Sequence, residues 1–309
     1  MQFRTSVMAF FACVSFAACS ANEVSPVETS PPELMTWPDL LSRDRPEPQM
    51  SLSYGPLEQQ VVDLWQPEGE GPHPVVLMVH GGCWQKAIAD RTLMNYAAED
   101  LRQRGLAVWN IEYRGVDEEG GGYPGTYLDV TAATEALFER GEEFGLDTSR
   151  VAGIGHSAGG HLLTWLAARG QLPTDSAVYG DGQTFEFRSV VNSGGLADLE
   201  ASSPVTLDTC LAAIESQLTG EATPERPDVY ADTSSSRLQP APSEQISVNG
   251  QYDRIAPSVL GEGFTAQVIT AGGSARFVEV ADTGHVELIA PGTEAWNVQA
   301  ALLEEALAN

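Results

Sequence analysis

The stretch Gly155-His156-Ser157-Ala158-Gly159-Gly160-His161 constrains this chain more than any other. It follows a short apolar run at residues 150–154 and precedes residues 162–168, which have helical composition. The spacing predicts a strand that ends in a sharp turn and opens directly into a helix. A serine held on such a turn sits in strained backbone, and its glycine neighbours are small because larger side chains would collide with the adjoining strand and helix. The turn pushes the Ser157 hydroxyl clear of the sheet. It also aims the first free N–H groups of the helix at whatever that hydroxyl attacks. A Gly-Ser-Gly cluster alone is equally compatible with an ordinary loop, so the rest of the chain decides.

Strand and helix signals alternate along the body. Residues 60–65 read as an early antiparallel strand, and residues 74–79 are a continuous apolar run of the kind covered on both faces of a sheet. A helix is expected over 91–104, a strand over 106–111, a helix over 127–143 and a strand over 151–154. Strands follow at 189–193, 245–249 and 275–280, with a closing helix at 293–307. Repeated units of this kind give an α/β fold, a mostly parallel sheet with helices on both faces. Ligands of such sheets bind beyond the carboxyl ends of the strands. Every glycine-rich or polar loop singled out here follows a strand, so these loops should gather on that edge.

A serine hydroxyl needs a base to take its proton, and the base needs a carboxylate to fix its tautomer. Of five histidines, His73 lies in a turn, His80 and His156 belong to glycine motifs, and His161 is one helical turn beyond Ser157 and faces away from it. His285, in the loop after the last strand, is the candidate base. Asp253, at the tip of the loop after the preceding strand, is the candidate acid, with Asp282 as its rival; Asp129 and Asp198 read as helix-cap or loop acids. The order Ser157, Asp253, His285 is the chain order expected of a triad on this architecture. Oxyanion donors are expected from the backbone of Ala158 and of Gly82 and Cys83, with Trp84 beside them in the substrate pocket.

The segments His80-Gly81-Gly82-Cys83-Trp84, Asn110-Ile111-Glu112-Tyr113-Arg114, Gly122-Tyr123-Pro124-Gly125-Thr126, Gly155 to Leu162 and Gly284-His285-Val286-Glu287 together resemble the α/β-hydrolases. The closer resemblance is to the esterase/lipase-like branch with feruloyl and acetyl-xylan esterase-type domains and kynurenine formamidase-like enzymes. It implies an α/β-hydrolase fold over residues 51–309 with a small cap insertion at 196–243, carrying helices near 207–218 and 225–232. It also implies a serine hydrolase acting on a small-to-medium carboxylic ester, without cofactor or metal. The alternatives are an arylformamidase and, outside enzymes, a catalytically silent ligand-binding surface lipoprotein. Cys83 departs from the aromatic residue usual in formamidase-like members, and Asn249 from the histidine often found before the acid loop.

Residues 1–19 read as a signal peptide, with a short positive start and an apolar run too short to span a bilayer. Small residues before Cys19 resemble a bacterial lipoprotein signal, with Cys19 as the lipidation site. That predicts an exported protein, periplasmic or anchored at the outer membrane, which meets the membrane only through its N-terminal lipid. Residues 20–50, rich in Pro, Glu and Ser, read as a flexible tether from which Trp37 and the Leu40-Leu41 pair can dock on the body. Cys13 falls in the signal, which leaves Cys83 and Cys210; in an oxidising compartment they can pair, and otherwise they are buried thiols. The chain has 43 acidic against 16 basic residues and a net charge of −27, so no basic stripe exists to hold nucleic acid. The expected partner is a small-molecule ester; oligomeric state is not legible.

Overall fold

The computed structural model describes residue 2 and residues 32–206 and 210–308. The expected signal peptide and the Cys19 lipidation site therefore lie outside the described residues. Contacts divide the chain into two units, 1–33 and 34–309, and the sheet, its helices and the candidate site belong to the second.

Eight strands form one sheet: β1 (Met50–Ser53), β2 (Val61–Trp65), β3 (His73–Val79), β4 (Ala107–Ile111), β5 (Leu146–His156), β6 (Ser189–Ser193), β7 (Glu244–Gly250) and β8 (Ala275–Val280). Their spatial order is β1-β2-β4-β3-β5-β6-β7-β8. β1 and β2 pair antiparallel and everything from β4 to β8 pairs parallel. The helices are α1 (Trp37–Leu41), α2 (Asn95–Gln103), α3 (Gly125–Arg140), α4 (Ala158–Ala168), α5 (Leu199–Ser202), α6 (Leu211–Thr219), α7 (Ser258–Thr270) and α8 (Glu294–Leu307). The strand period of two splits the apolar residues between two cores. Val75, Leu77 and Val79 of β3 pack towards α3 and α4. Val76 and Met78, one residue out of step, pack towards α2 and α8. A strand buried on both faces must be apolar throughout, as β3 is.

Three expectations change. Residues 35–50 are not a free tether. Pro38 and the Thr36–Asp39 capping box start α1, Leu40 is wholly buried, and the Asn95 amide and the Arg43 guanidinium donate to the carbonyls of Pro46 and Pro291. The insertion between β6 and β7 carries α5 and α6, but residues 225–232 form turns instead of a helix. Pro224 and Pro227 bracket its start, and Arg226 is drawn to Asp232 and stacked over Tyr123 at 4.0 Å. Asp129 is no cap: it sits inside α3 and takes a two-pronged ion pair from Arg114, at 2.7 and 2.8 Å. Asp198 is the cap expected of it, accepting from Ala201 N–H.

Candidate active site

Parallel register brings the carboxyl ends of β3, β5, β6, β7 and β8 level: Val79 lies opposite Gly155, His156 opposite Ser193, and Gly250 opposite Val280. The loops that follow them meet at one edge. Ser157 joins β5 to α4 at φ 54°, ψ −119°, a left-handed conformation costly for a residue with a Cβ. The flanking glycines make that turn possible. A Cβ at Gly155 would run into the Gly159 carbonyl, and one at Gly159 into the carbonyls of Val79 and His80. Ser157 N–H is tied to the Ser193 carbonyl at 2.9 Å, so the turn is held from the neighbouring strand.

His285 Nδ1 meets Asp253 Oδ2 at 2.6 Å, both residues being buried. The other carboxylate oxygen accepts the N–H groups of Ile255 and Ala256, each at 2.8 Å, which fixes the plane of the acid. With Nδ1–H donated to the carboxylate, the free nitrogen of the ring is Nε2. Ser157 and His285 line one cavity of about 280 Å³, together with His156, Gly82 and Cys83. Among the described residues no hydrogen bond yet joins the Ser157 hydroxyl to the His285 ring, a contact that commonly tightens only once substrate is bound. The rival acid, Asp282, is exposed, and the carboxylate that meets His285 is that of Asp253.

Gly194, at φ +52°, lies beneath this pair. A Cβ there would stand 3.2 Å from both Asp253 Oδ2 and His285 Nδ1, and 2.7 Å from Leu288. The pair would have to give by a few tenths of an ångström, so Gly194→Ala is expected to lower kcat by about tenfold, less than the ~100-fold of a 1 Å misplacement. The backbone strain should take about 1–3 kcal/mol from stability. Steady-state kinetics beside a thermal melt would separate the two; unchanged kcat would mean that the pair tolerates displacement.

The turn after β3, from which oxyanion donors are expected, has Gly82 at φ 115° and Cys83 at φ 51°. Among the described residues neither Cys83 N–H nor Ala158 N–H meets an acceptor. Glu112 supports the turn from below: its carboxylate meets His80 Nε2 at 2.8 Å, Lys86 at 3.0 Å and Arg91 at 3.4 Å. Burial works to raise the Glu112 pKa, but His80 and Lys86 outweigh it and hold it at about 2. Cys83 is joined to Cys210, with Cα atoms 5.1 Å apart, so the insertion between β6 and β7 is tied to the Gly82-Cys83 turn.

Trp84 corrects the sequence reading. At φ 54° its side chain turns inward and is fully buried. Its indole N–H donates to His161 Nδ1 at 3.2 Å, and it does not line the cavity. The remaining walls come from Trp37, Leu41, Ile88, Ala89, Leu93 and Ile255, none of them singled out for the pocket from sequence. The Thr36-x-x-Asp39 box with Pro38 was the signal that this segment folds.

His161 is neutral by its bonds, accepting from Trp84 and donating Nε2–H to the Thr233 carbonyl at 2.7 Å. Burial, only partly offset by that carbonyl, lowers its pKa to about 4. Burial and the nearby His285 likewise push His156 well below 6.5. The unfolded chain then binds more protons than the native one, so stability is complete above pH 6.5 and falls as pH drops towards 4. The expected slope is about 1.4 kcal/mol per pH unit for each histidine. Denaturant melts at pH 7, 6, 5 and 4.5 test this, and a flat profile would refute it.

A parallel sheet whose serine turn, acid loop and histidine loop close on one edge in this order defines an α/β-hydrolase. Within that class the chain belongs to the BD-FAE family, whose model matches residues 62–263. Over 243 residues it is 25% identical to Esterase LipC of Mycobacterium tuberculosis, covering 77% of this chain and 58% of the relative. Carboxylesterase NlhH of the same species is 31% identical over 155 residues, 50% of this chain and 47% of the relative. The chain thus spans about half the length of these curated relatives. A truncated carbohydrate esterase from gut microbiota superposes with a TM-score of 0.72 at 20% identity, covering 84% of this chain and 97% of that one.

Proposed function

We propose that this protein is a serine esterase that hydrolyses a small-to-medium carboxylic ester through an acyl-enzyme. The observation that carries the reading is the strained Ser157 turn opening into the same cavity as a histidine locked by Asp253. Esterase LipC and Carboxylesterase NlhH, by their names, support the same chemistry.

Ser157 Oγ attacks the ester carbonyl carbon while its proton passes to His285 Nε2. Asp253 keeps Nδ1–H and stabilises the imidazolium. The carbonyl oxygen, now negative, takes hydrogen bonds from Ala158 and Cys83 N–H, with Gly82 letting the backbone approach. Collapse of the intermediate breaks the bond to the alkoxide, which leaves with the proton from Nε2. Water then gives a proton to Nε2 and its oxygen to the acyl carbon; a second collapse releases the acid and returns the proton to Ser157.

The test is turnover of p-nitrophenyl acetate, butyrate and octanoate beside N-formylkynurenine, with a fluorophosphonate label mapped by mass spectrometry. Ester turnover and a label on Ser157 support the reading. Preference for the formamide would move it to an arylformamidase.

The reading extends to the compartment: the enzyme works outside the cytoplasm, anchored by a lipid on Cys19. The residues before Cys19 and the Cys83–Cys210 bridge, a bond that persists in oxidising surroundings, support this. Fractionation of producing cells with mass analysis of the mature N-terminus tests it, and a soluble cytoplasmic chain with an intact Met1 would refute it.

A further inference from the structure

The BD-FAE match begins at residue 62, yet the strap of residues 35–41 before it builds part of the cavity. Trp37 stands edge-on to His285 and His156, with ring centroids 6.2 and 6.3 Å away. Trp65, Trp84, Trp109, Trp165 and Trp296 are all fully buried, whereas Trp37 is only partly covered and lines the cavity. The strap is fixed at both ends of this contact. Leu40 is sunk in the core beside α8. Met35 N–H donates to Glu287 Oε1 at 2.5 Å, and Glu287 Oε2 accepts Gly284 N–H at 3.1 Å. One buried carboxylate therefore couples the strap to the residue before His285.

The cavity offers a substrate almost nothing polar beyond the reacting groups. Trp37, Leu41, Ile88, Ala89, Leu93 and Ile255 surround Ser157, and among the described residues no charged side chain lines it. A hydroxyl-rich group would lose its water there without finding partners, whereas one added methylene in an apolar pocket improves discrimination by about tenfold. A volume of about 280 Å³ is at the lower edge of the ~300–1,000 Å³ typical of small-molecule sites. We propose that the strap is the recognition element of this enzyme and Trp37 its specificity-determining residue, selecting esters whose group at this subsite is a short alkyl chain or a single aromatic ring. The inference rests on the esterase reading above.

The test compares kcat/KM for p-nitrophenyl acetate, butyrate, benzoate and octanoate in the wild type, Trp37→Ala and Leu41→Trp. The wild type is expected to favour butyrate and benzoate over octanoate. Trp37→Ala should lose at least tenfold on butyrate and benzoate, mainly through KM, and shift its preference towards octanoate as the wall opens. Leu41 is 43% exposed at the rim, so a tryptophan there is accommodated by the fold and should shift preference towards acetate by narrowing the mouth. This variant keeps the test decisive if Trp37→Ala does not fold. A wild type active on esters whose chain-length profile is the same in both variants overturns the role of the strap alone. A wild type inactive on every ester overturns the esterase reading and this inference with it.

Discussion

Ser157→Ala is expected to lower kcat on p-nitrophenyl butyrate by about 10⁶-fold, the scale seen when the nucleophile of such a triad is removed. The fold should hardly notice. Among the described residues the Ser157 hydroxyl makes no hydrogen bond, whereas its backbone N–H, bonded to Ser193, is kept by alanine. Serine and alanine both carry a Cβ, so the strain at φ 54° is the same in the two proteins and the melting temperature should move by no more than about 2 °C. The pairing of a large kinetic loss with an unmoved melt is the informative result. It assigns the loss to one atom. Residual hydrolysis of about 10³–10⁴ over water should persist through the oxyanion donors and substrate binding. A variant that keeps more than a hundredth of the wild-type rate would show that another group attacks the ester.

The residues of this prediction were legible because each is fixed by local chemistry. The serine turn announces itself through glycines that no other residue can replace, and chain order then selects Asp253 and His285 from several acids and histidines. What was not legible depends on where a side chain points after a backbone irregularity. Trp84 follows a glycine pair, and sequence reading puts it in the pocket; two successive left-handed residues, Cys83 and Trp84, turn it into the core to meet His161. Trp37 lies in a stretch with the composition of a tether and no periodicity, and only its long-range contacts draw it into the site. The absent helix at 225–232 has the same origin. Its residues satisfy a helical composition, but the pairing of Arg226 with Asp232 and the stacking on Tyr123 hold the segment in turns. The same long-range character belongs to Gly194, which matters through two side chains roughly 60 and 90 residues away.

Cys210→Ser should have the second largest effect, and it divides between stability and catalysis. Opening a bridge that spans 127 residues releases chain entropy worth about 5 kcal/mol to the unfolded state, or about 10 °C in melting temperature for a domain of this size. The bridge also holds Cys83, a left-handed residue whose backbone N–H is the oxyanion donor proposed above. Complete loss of one such donor costs about 10²–10³ in rate. The expected loss in kcat is smaller, about tenfold with KM little changed, because the turn retains its second anchor. Glu112 keeps its grip on His80, Lys86 and Arg91, and with a pKa of about 2 it remains ionised through the working range. Cys83→Ser should reproduce both effects, since it cuts the bridge and leaves the backbone N–H in place. Treating the wild type with dithiothreitol should do the same without any mutation. A lowered melt with unchanged kcat would assign the turn to Glu112 alone, whereas a fall approaching 10³ would mean that the disulfide, and not the carboxylate, sets the position of the donor.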